Sequence, residues 1–422
     1  MKIKKRYFFT GLVVLLGPAL FIRSTEGVQD ENFNSTPVEK KIVPVNPCLQ
    51  EFMVKYDSVV QTIVHKTPGA AIVIVKGDSI IFSKGYGIKS INSGVPVDIN
   101  TVFRIGSLSK GFASTLTGIV AQDGLLQFND LVTDHVPSFK LKTKEQTQSL
   151  SLNHLLSHST GLMYQAYTTL IEDGLPLETM IASLQGVNLI GYPGQYYSYQ
   201  NVGYCVIEKV LENNTGASYS QLLENRIFTP LNMKNASSTL DGILHSDNKA
   251  SPHSRGKTGW YQLPISPNYY NTKAAGGINA SITDMGQWLK ALLGHNDEII
   301  NKSTLDSIFT PHIRSYIRYK YFGSWPKVKK AYYGLGWRVV ENGNDTVIYH
   351  GGFVNNYSSK IALIPSEDIG ICVLTNSSNR FIGKSIPLFL ELFDTYRDEI
   401  KEWESIQNAD HISHEAQFLL TK

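Results

Sequence analysis

A hydroxyl with an amine three residues further on is the first chemistry the sequence offers. In Phe103-Arg-Ile-Gly-Ser-Leu-Ser-Lys110, Ser107 follows a Gly turn, and Phe112, Leu116, Ile119 and Val120 recur behind it at helical spacing until Asp123-Gly124 stops the run. The spacing predicts that Ser107 sits in a first helical turn, where backbone N–H groups lack partners and the dipole favours negative charge. Lys110 then overhangs the same face. A hydroxyl, an amine to take its proton and amide donors for an oxyanion are the parts of nucleophilic acyl transfer. The spacing by itself is cheap. Ser246/Lys249, Ser254/Lys257 and Ser324/Lys327 share it, but in polar or Pro-containing stretches with no apolar helical face.

Two further stretches carry chemistry. In Pro193-Gly-Gln-Tyr-Tyr-Ser-Tyr-Gln-Asn-Val-Gly-Tyr204, Tyr199 and Asn201 stand two apart before a helical pattern and point to one side of an extended segment. A phenol beside an ammonium ionises more easily than in water, so Tyr199 is a candidate base for the Ser107 proton. Asn201 is a candidate donor to substrate or to Lys110. Tyr269-Tyr-Asn271 repeats the spacing and is read as a decoy made of turn and core aromatics. His350-Gly351-Gly352 ends a strand-like run, where a Gly pair lets a substrate backbone approach the strand edge. The N–H just past that pair can serve as a second oxyanion donor.

The elements that must position these residues are legible in outline. Pro47 to Lys66 reads as a helix, Ala70–Val75 and Ser79–Ser83 as a hairpin, and Ala280 to Leu293 as a helix. Strands are expected at Tyr333–Val340, Thr346–His350, Ser358–Pro365 and Ile369–Leu374, and a closing helix from Pro387 to Ile406. Strands near both ends with helical material between predict an α/β (α+β) fold: an antiparallel sheet flanked by helices, with an inserted mostly helical domain. The expected division is residues 48–125 and 268–408 for the sheet domain, 126–267 for the helical insert and 409–422 for a tail. The active site is expected in the cleft between the two parts.

Composition limits the function. The chain has 422 residues, 42% apolar and 18% charged, with a net charge of +3 spread without long basic runs. That excludes a nucleic-acid footprint. Lys2, Lys4, Lys5 and Arg6 precede an apolar run from Phe8 to Ile22. Residues 1–23 therefore read as a secretory signal peptide or an uncleaved anchor, and 24–47 as a flexible linker. The chain is expected to be exported to the periplasm or the extracellular side, touching a membrane only through that leading segment. Three cysteines (Cys48, Cys205, Cys372) are too few for a disulfide scaffold, and Cys205 and Cys372 read as small buried hydrophobes.

Taken together these motifs resemble the serine β-lactamase and penicillin-binding protein superfamily, in its class C branch, over roughly Phe52 to Leu390. That branch holds class C β-lactamases, D-alanyl-D-alanine carboxypeptidases, D-amino-acid peptidases and esterases. The resemblance implies the β-lactamase/transpeptidase-like fold, Ser107 as acyl-forming nucleophile, Lys110 as its partner, and Tyr199-Gln200-Asn201 as the Tyr-x-Asn element. His350-Gly-Gly occupies the place of a Lys-Thr-Gly element, which implies the Phe353 N–H as oxyanion donor beside that of Ser107. Leu155-Leu-Ser-His-Ser-Thr-Gly-Leu162 is a family-like phrase whose continuation implies Gln165 as a substrate contact. The literal Lys257-Thr-Gly259 lies in the loop-rich middle and lacks a following run of strands.

His350 departs from the pattern. A Lys there is cationic at pH 7 and anchors a substrate carboxylate, whereas an imidazole of ordinary pKa about 6.5 is mostly neutral. This argues against efficient β-lactam hydrolysis and leaves peptidases and esterases open. The expected function is a serine hydrolase acting on amide or ester bonds of peptidoglycan D-amino peptides, β-lactams or small esters. The rival readings are a true class C β-lactamase and a non-turnover penicillin-binding or wall-associated module. The expected partner is a small-molecule or peptidoglycan-peptide substrate, and no cofactor or metal is expected. Ser159 mimics a nucleophile elbow but has Ser157 where the strained turn needs Gly. His154 and His158 lack the glutamate of the zinc-protease motif and are read as structural.

Overall fold

The computed structural model describes residues 46–316, 322–325 and 327–420, with side chains to residue 407. The expected leader, and the linker up to residue 45, lie outside the described residues. From Asn46 on, the chain belongs to one compact unit. Asn46 Oδ1 accepts the N–H groups of Cys48 and Leu49, and Pro47 supplies a pre-set φ at the first helical position of α1 (Pro47–Val64).

Among the described residues, eight strands make one antiparallel sheet. They are β1 (Gly69–Lys76), β2 (Ser79–Gly87), β3 (Ile313–Arg314), β4 (Val328–Tyr333), β5 (Arg338–Asn342), β6 (Asp345–Val354), β7 (Tyr357–Ile364) and β8 (Ile369–Thr375), in the spatial order β2-β1-β8-β7-β6-β5-β4-β3. β1 lies inside the sheet and is covered on both faces, which is why its apolar run is continuous rather than alternating. Ala70, Ile72 and Ile74 face α1 and the final helix, α6 (Arg380–Leu420), where Phe52, Tyr56, Phe389 and Phe393 pack together. Val73 and Val75 face the opposite layer, with α2 (Ser109–Gln122), α3 (Val202–Thr215) and α5 (Ile282–Leu292). A single-turn helix, α4 (Lys273–Gly276), wedges between α2 and α3.

Two of the expected elements have other bounds in the structure. Tyr333–Val340 is not one strand: β4 ends at Tyr333 and β5 begins at Arg338. Gly334 N–H bonds the Trp337 carbonyl, and Gly336 takes φ +77°, a left-handed value that glycine allows without strain, so the chain reverses there. α6 begins at Arg380 rather than Pro387, because Asn379 Oδ1 caps Ile382 N–H, and it runs on through the expected tail. The carbonyl that the Pro387 ring would crowd belongs to Gly383, which offers no side chain to add to the clash.

What matters for function is how the middle strands meet the start of α2. Ser359 Oγ on β7 donates to the Ile105 carbonyl at 2.7 Å, and Ile105 N–H donates to Ile278. A Cβ built on Gly352 would fall 2.1 Å from the Ile105 oxygen, so this approach exists only because residue 352 has no side chain. Gly352→Ala is therefore expected to destabilise by roughly 1–3 kcal/mol through forced backbone displacement. Gly351→Ala should cost less, since its Cβ meets mainly the movable Tyr349 hydroxyl at 3.1 Å. Urea unfolding of the two variants checks the order, and equal midpoints would contradict it.

Candidate active site

Ser107 lies in a short 3₁₀ turn (Gly106–Leu108) that feeds α2, rather than in the α-helix itself. Lys110 follows three residues on, in the first turn of α2, and residues three apart on a helical surface are neighbours, so the two side chains still stand side by side. Lys110 Nζ is 3.4 Å from Ser107 Oγ, a long contact of the kind that tightens when substrate binds. Gly106 carries φ +52°, and a Cβ there would lie 2.8 Å from Phe353 N. A Cβ on Gly352 would lie 3.1 Å from Ser107 N. The backbones at 107 and 353 therefore pass in contact, which is the arrangement two converging oxyanion donors need. The Phe353 side chain is 58% exposed at the lip.

The Lys110 side chain is fully buried and holds two acceptors: Asn201 Oδ1 at 2.9 Å and the Ala275 carbonyl at 2.8 Å. Burial, with a smaller contribution from the Arg338 charge, pushes its amine down from 10.5 to about 7. Nearby Cys205 offers no opposing charge, because burial keeps its thiol protonated. A neutral amine has two N–H bonds and one lone pair. With both N–H bonds directed to Asn201 and Ala275, the lone pair is left for the third neighbour, the Ser107 hydroxyl.

Asn201 sits at the N-cap of α3, a place where its side chain would ordinarily cap the helix. Here it makes no cap bond. It accepts from Lys110 and donates to the Tyr269 hydroxyl at 3.3 Å. The Tyr199 ring covers Lys110, with Nζ 4.8 Å from its centroid, so the two residues form one buried unit. Gln165, exposed at the rim, is tied to this loop through its N–H to the Tyr199 carbonyl.

His350 is placed differently from a substrate anchor. It is 2% exposed, Nδ1 faces the Gly351 carbonyl at 2.9 Å, and Nε2 faces the Tyr333 hydroxyl at 2.9 Å. A carbonyl only accepts, so Nδ1 carries the proton and Nε2 accepts from Tyr333. Burial, with Arg338 and Lys110 nearby, pushes its pKa well below the usual value. The ring is thus a neutral part of the wall with both nitrogens engaged, and Gly351 and Gly352, not the imidazole, carry the close backbone approach.

Several residues escaped the sequence reading. His158 packs under Tyr199 at 4.2 Å between ring centroids and against Tyr204 and Tyr333. Its Nδ1 accepts the Gln200 N–H, while Nε2 is buried without a hydrogen-bond partner. Gln200 ties the 162–166 loop to the Tyr199 loop by accepting from Ala166 N–H and donating to Leu162 O. Tyr269, read as a decoy, extends the Lys110–Asn201 chain, and Arg104 secures its loop by donating to the Ser266 and Asn268 carbonyls. Lys257 lies at an exposed hairpin turn, and His154 bonds Ser151 rather than converging with His158. Grooves of about 640 and 680 Å³ lie elsewhere, the first lined by Lys327, Asp345 and Arg397 among others, the second by Lys66, Trp260 and Phe381 among others. Neither includes Ser107 or Lys110, so chemistry and not size locates the site.

With this geometry in hand, comparison with known proteins decides the family. The Beta-lactamase family model matches residues 56–385. The chain belongs to the beta-lactamase family. Protein flp of Staphylococcus aureus (strain COL) is 26% identical over 330 residues, covering 76% of this chain and 61% of that protein. The unguisins hydrolase ungD' of Aspergillus campestris (strain IBT 28561) is 23% identical over 326 residues, with 74% and 59% covered. This beta-lactamase family chain thus spans about three fifths of the length of these curated relatives. Among solved structures, the octameric penicillin-binding protein homologue from Pyrococcus abyssi aligns with TM-score 0.66 and 24% identity, over 81% of this chain and 77% of that one. EstCE1, a hydrolase with promiscuous acyltransferase activity, aligns with TM-score 0.68 and 19% identity, over 82% and 98%. Both carry the fold described above.

If the neutral Lys110 amine takes the Ser107 proton, kcat/KM should rise tenfold per pH unit below about 7 and level off above it. A neutral ester assayed from about pH 5 to 9 tests this, since the substrate does not titrate there. A limb that appears only above about pH 9, as for an ordinary lysine, would contradict it.

Proposed function

We propose that this chain is a serine hydrolase that forms an acyl-enzyme at Ser107 on uncharged ester or amide substrates. The observation that carries the reading is the buried Lys110 amine, held by two acceptors with its lone pair toward the Ser107 hydroxyl. In the first step Lys110 and Tyr199, as one coupled unit, take the Ser107 proton. Oγ attacks the substrate carbonyl, and the Ser107 and Phe353 N–H groups receive the oxyanion. The tetrahedral intermediate collapses, the leaving alcohol or amine departs with the proton, and water deacylates the serine by the reverse route.

The neutral, internally bonded His350 supports uncharged substrates. A substrate carboxylate arriving at that ring finds no cation. Arg338, close by, is 4% exposed and lies over the Tyr333 ring. Small esters and uncharged amides are therefore preferred over D-alanyl peptides with a free carboxylate and over β-lactams. The basic and apolar leader supports export of the chain toward such substrates.

The test is a panel on the purified protein: p-nitrophenyl butyrate, a chromogenic cephalosporin and a D-alanyl-D-alanine peptide. We expect many turnovers on the ester, and kcat/KM on the two carboxylates lower by about tenfold or more, the value of one unmade charge-assisted hydrogen bond. Preference for the cephalosporin would overturn the substrate assignment. A single stoichiometric burst on every substrate would overturn turnover itself in favour of a binding module.

A further inference from the structure

One carboxyl group in the interior is not used by the reaction described above. Glu208 is 3% exposed on α3, seven residues beyond Asn201 and therefore on the same helix face two turns on. Its Oε1 accepts the Ala274 N–H at 2.8 Å, in the first turn of α4. The native cap of that turn is missing: Thr272, at the N-cap, makes no side-chain cap bond, and its hydroxyl is buried without a hydrogen-bond partner. The next residue, Ala275, is the one whose carbonyl accepts from Lys110 Nζ. One helix thus reaches the amine from two directions. Asn201 does so directly, and Glu208 does so through a four-residue turn, where it holds the Ala274 N–H while Cys205, on the same helix, meets the backbone N–H of Ala275. Tyr204, between them on α3, donates to the Lys110 backbone carbonyl at 2.7 Å.

We propose that Glu208 is a positioning residue for the acyl-transfer step: by holding the Ala274 N–H it aims the Ala275 carbonyl at Lys110 and so fixes the direction of the amine lone pair toward Ser107. The inference rests on the reading of Lys110 as the base. Glu208 acts here as a hydrogen-bond acceptor, and its surroundings suit that role. Burial pushes its pKa up to about 7, and its neighbours are Cys205 and Glu212 on α3, Lys273 on α4 and Tyr219 on the following helix. The groups facing Lys110 are Tyr199, Tyr204, Cys205, His158, Arg338 and His350.

Two variants separate the acceptor from the packing. Glu208→Gln keeps an oxygen for the Ala274 N–H, whereas Glu208→Met keeps the volume and loses the acceptor. Turnover of p-nitrophenyl butyrate is measured per active site titrated with a fluorophosphonate. Glu208→Met should lower kcat by about 10- to 100-fold with KM within about threefold, the effect of a misplaced catalytic group, and Glu208→Gln should restore it. A merely structural role would lower the melting temperature and the number of titratable sites in Glu208→Met while leaving kcat per site unchanged, and that result overturns the proposal. So does a Glu208→Gln variant as slow as Glu208→Met. The second arm needs no activity: the ¹⁵Nζ signal of Lys110, assigned by its loss in Lys110→Met, should stay sharp in wild type and Glu208→Gln and broaden or vanish in Glu208→Met. If wild type turns over no ester, the hydrolase reading fails on its own, and this signal still decides the role of Glu208. An unchanged Lys110 signal in Glu208→Met overturns it.

Discussion

The structure depends on keeping one amine out of water. Holding Lys110 at about 7 rather than 10.5 means that its charged form has lost about 5 kcal/mol of solvation that the site does not return. A base whose folded pKa is depressed lets the unfolded chain bind more protons between about pH 7 and 10.5, so this group destabilises the fold at neutral pH and less as pH rises toward 10.5. The surrounding architecture tolerates that cost because α2 is enclosed by the sheet, α3 and α5, and nearly all of its residues are buried. The same enclosure makes the amine useful. Neutral near pH 7 and bonded through both hydrogens, it faces the Ser107 hydroxyl as an acceptor rather than as a competing donor.

The three chemical segments meet because the sheet brings them together. β6 and β7 run past the start of α2, and the absent side chains at Gly106 and Gly352 let the two backbones touch. α3 approaches from the other side with Asn201 and Tyr204, and the Tyr199 ring closes over the amine. His350 contributes from beneath, as a neutral wall group fixed by Tyr333 and its own neighbour's carbonyl. The surroundings of the amine are thus set by burial and by hydrogen bonding, beside a Ser107 hydroxyl that remains partly exposed.

Much of this was legible in the sequence where local pattern carries the information. Ser107 and Lys110 announce themselves through a Gly turn and an apolar helix, and the both-face burial of β1 through an unbroken apolar run. The turn that splits Tyr333–Val340 was missed, although Gly334 and Gly336 mark it, because the aromatic and β-branched residues around them read as continuous strand. The roles of Glu208, Gln200 and His158 were not legible. Each acts through a contact with a segment tens of residues away, and a lone Glu or His in a helical pattern carries no sign of its partner. Tyr269 was set aside for the same reason: its link to Asn201 spans 68 residues and depends on Arg104 holding the loop. The neutral state of Lys110 belongs to this group too, since no local feature foretells complete burial of a lysine.

If Lys110 activates the neighbouring hydroxyl, Ser107 is the serine that reacts with a fluorophosphonate, and mass-spectrometric mapping of the adduct locates it. One equivalent of label is expected, on the peptide carrying Ser107, formed faster at pH 8 than at pH 5.5. Label on another serine such as Ser159, or an unlabelled Ser107 in the folded protein, would contradict it.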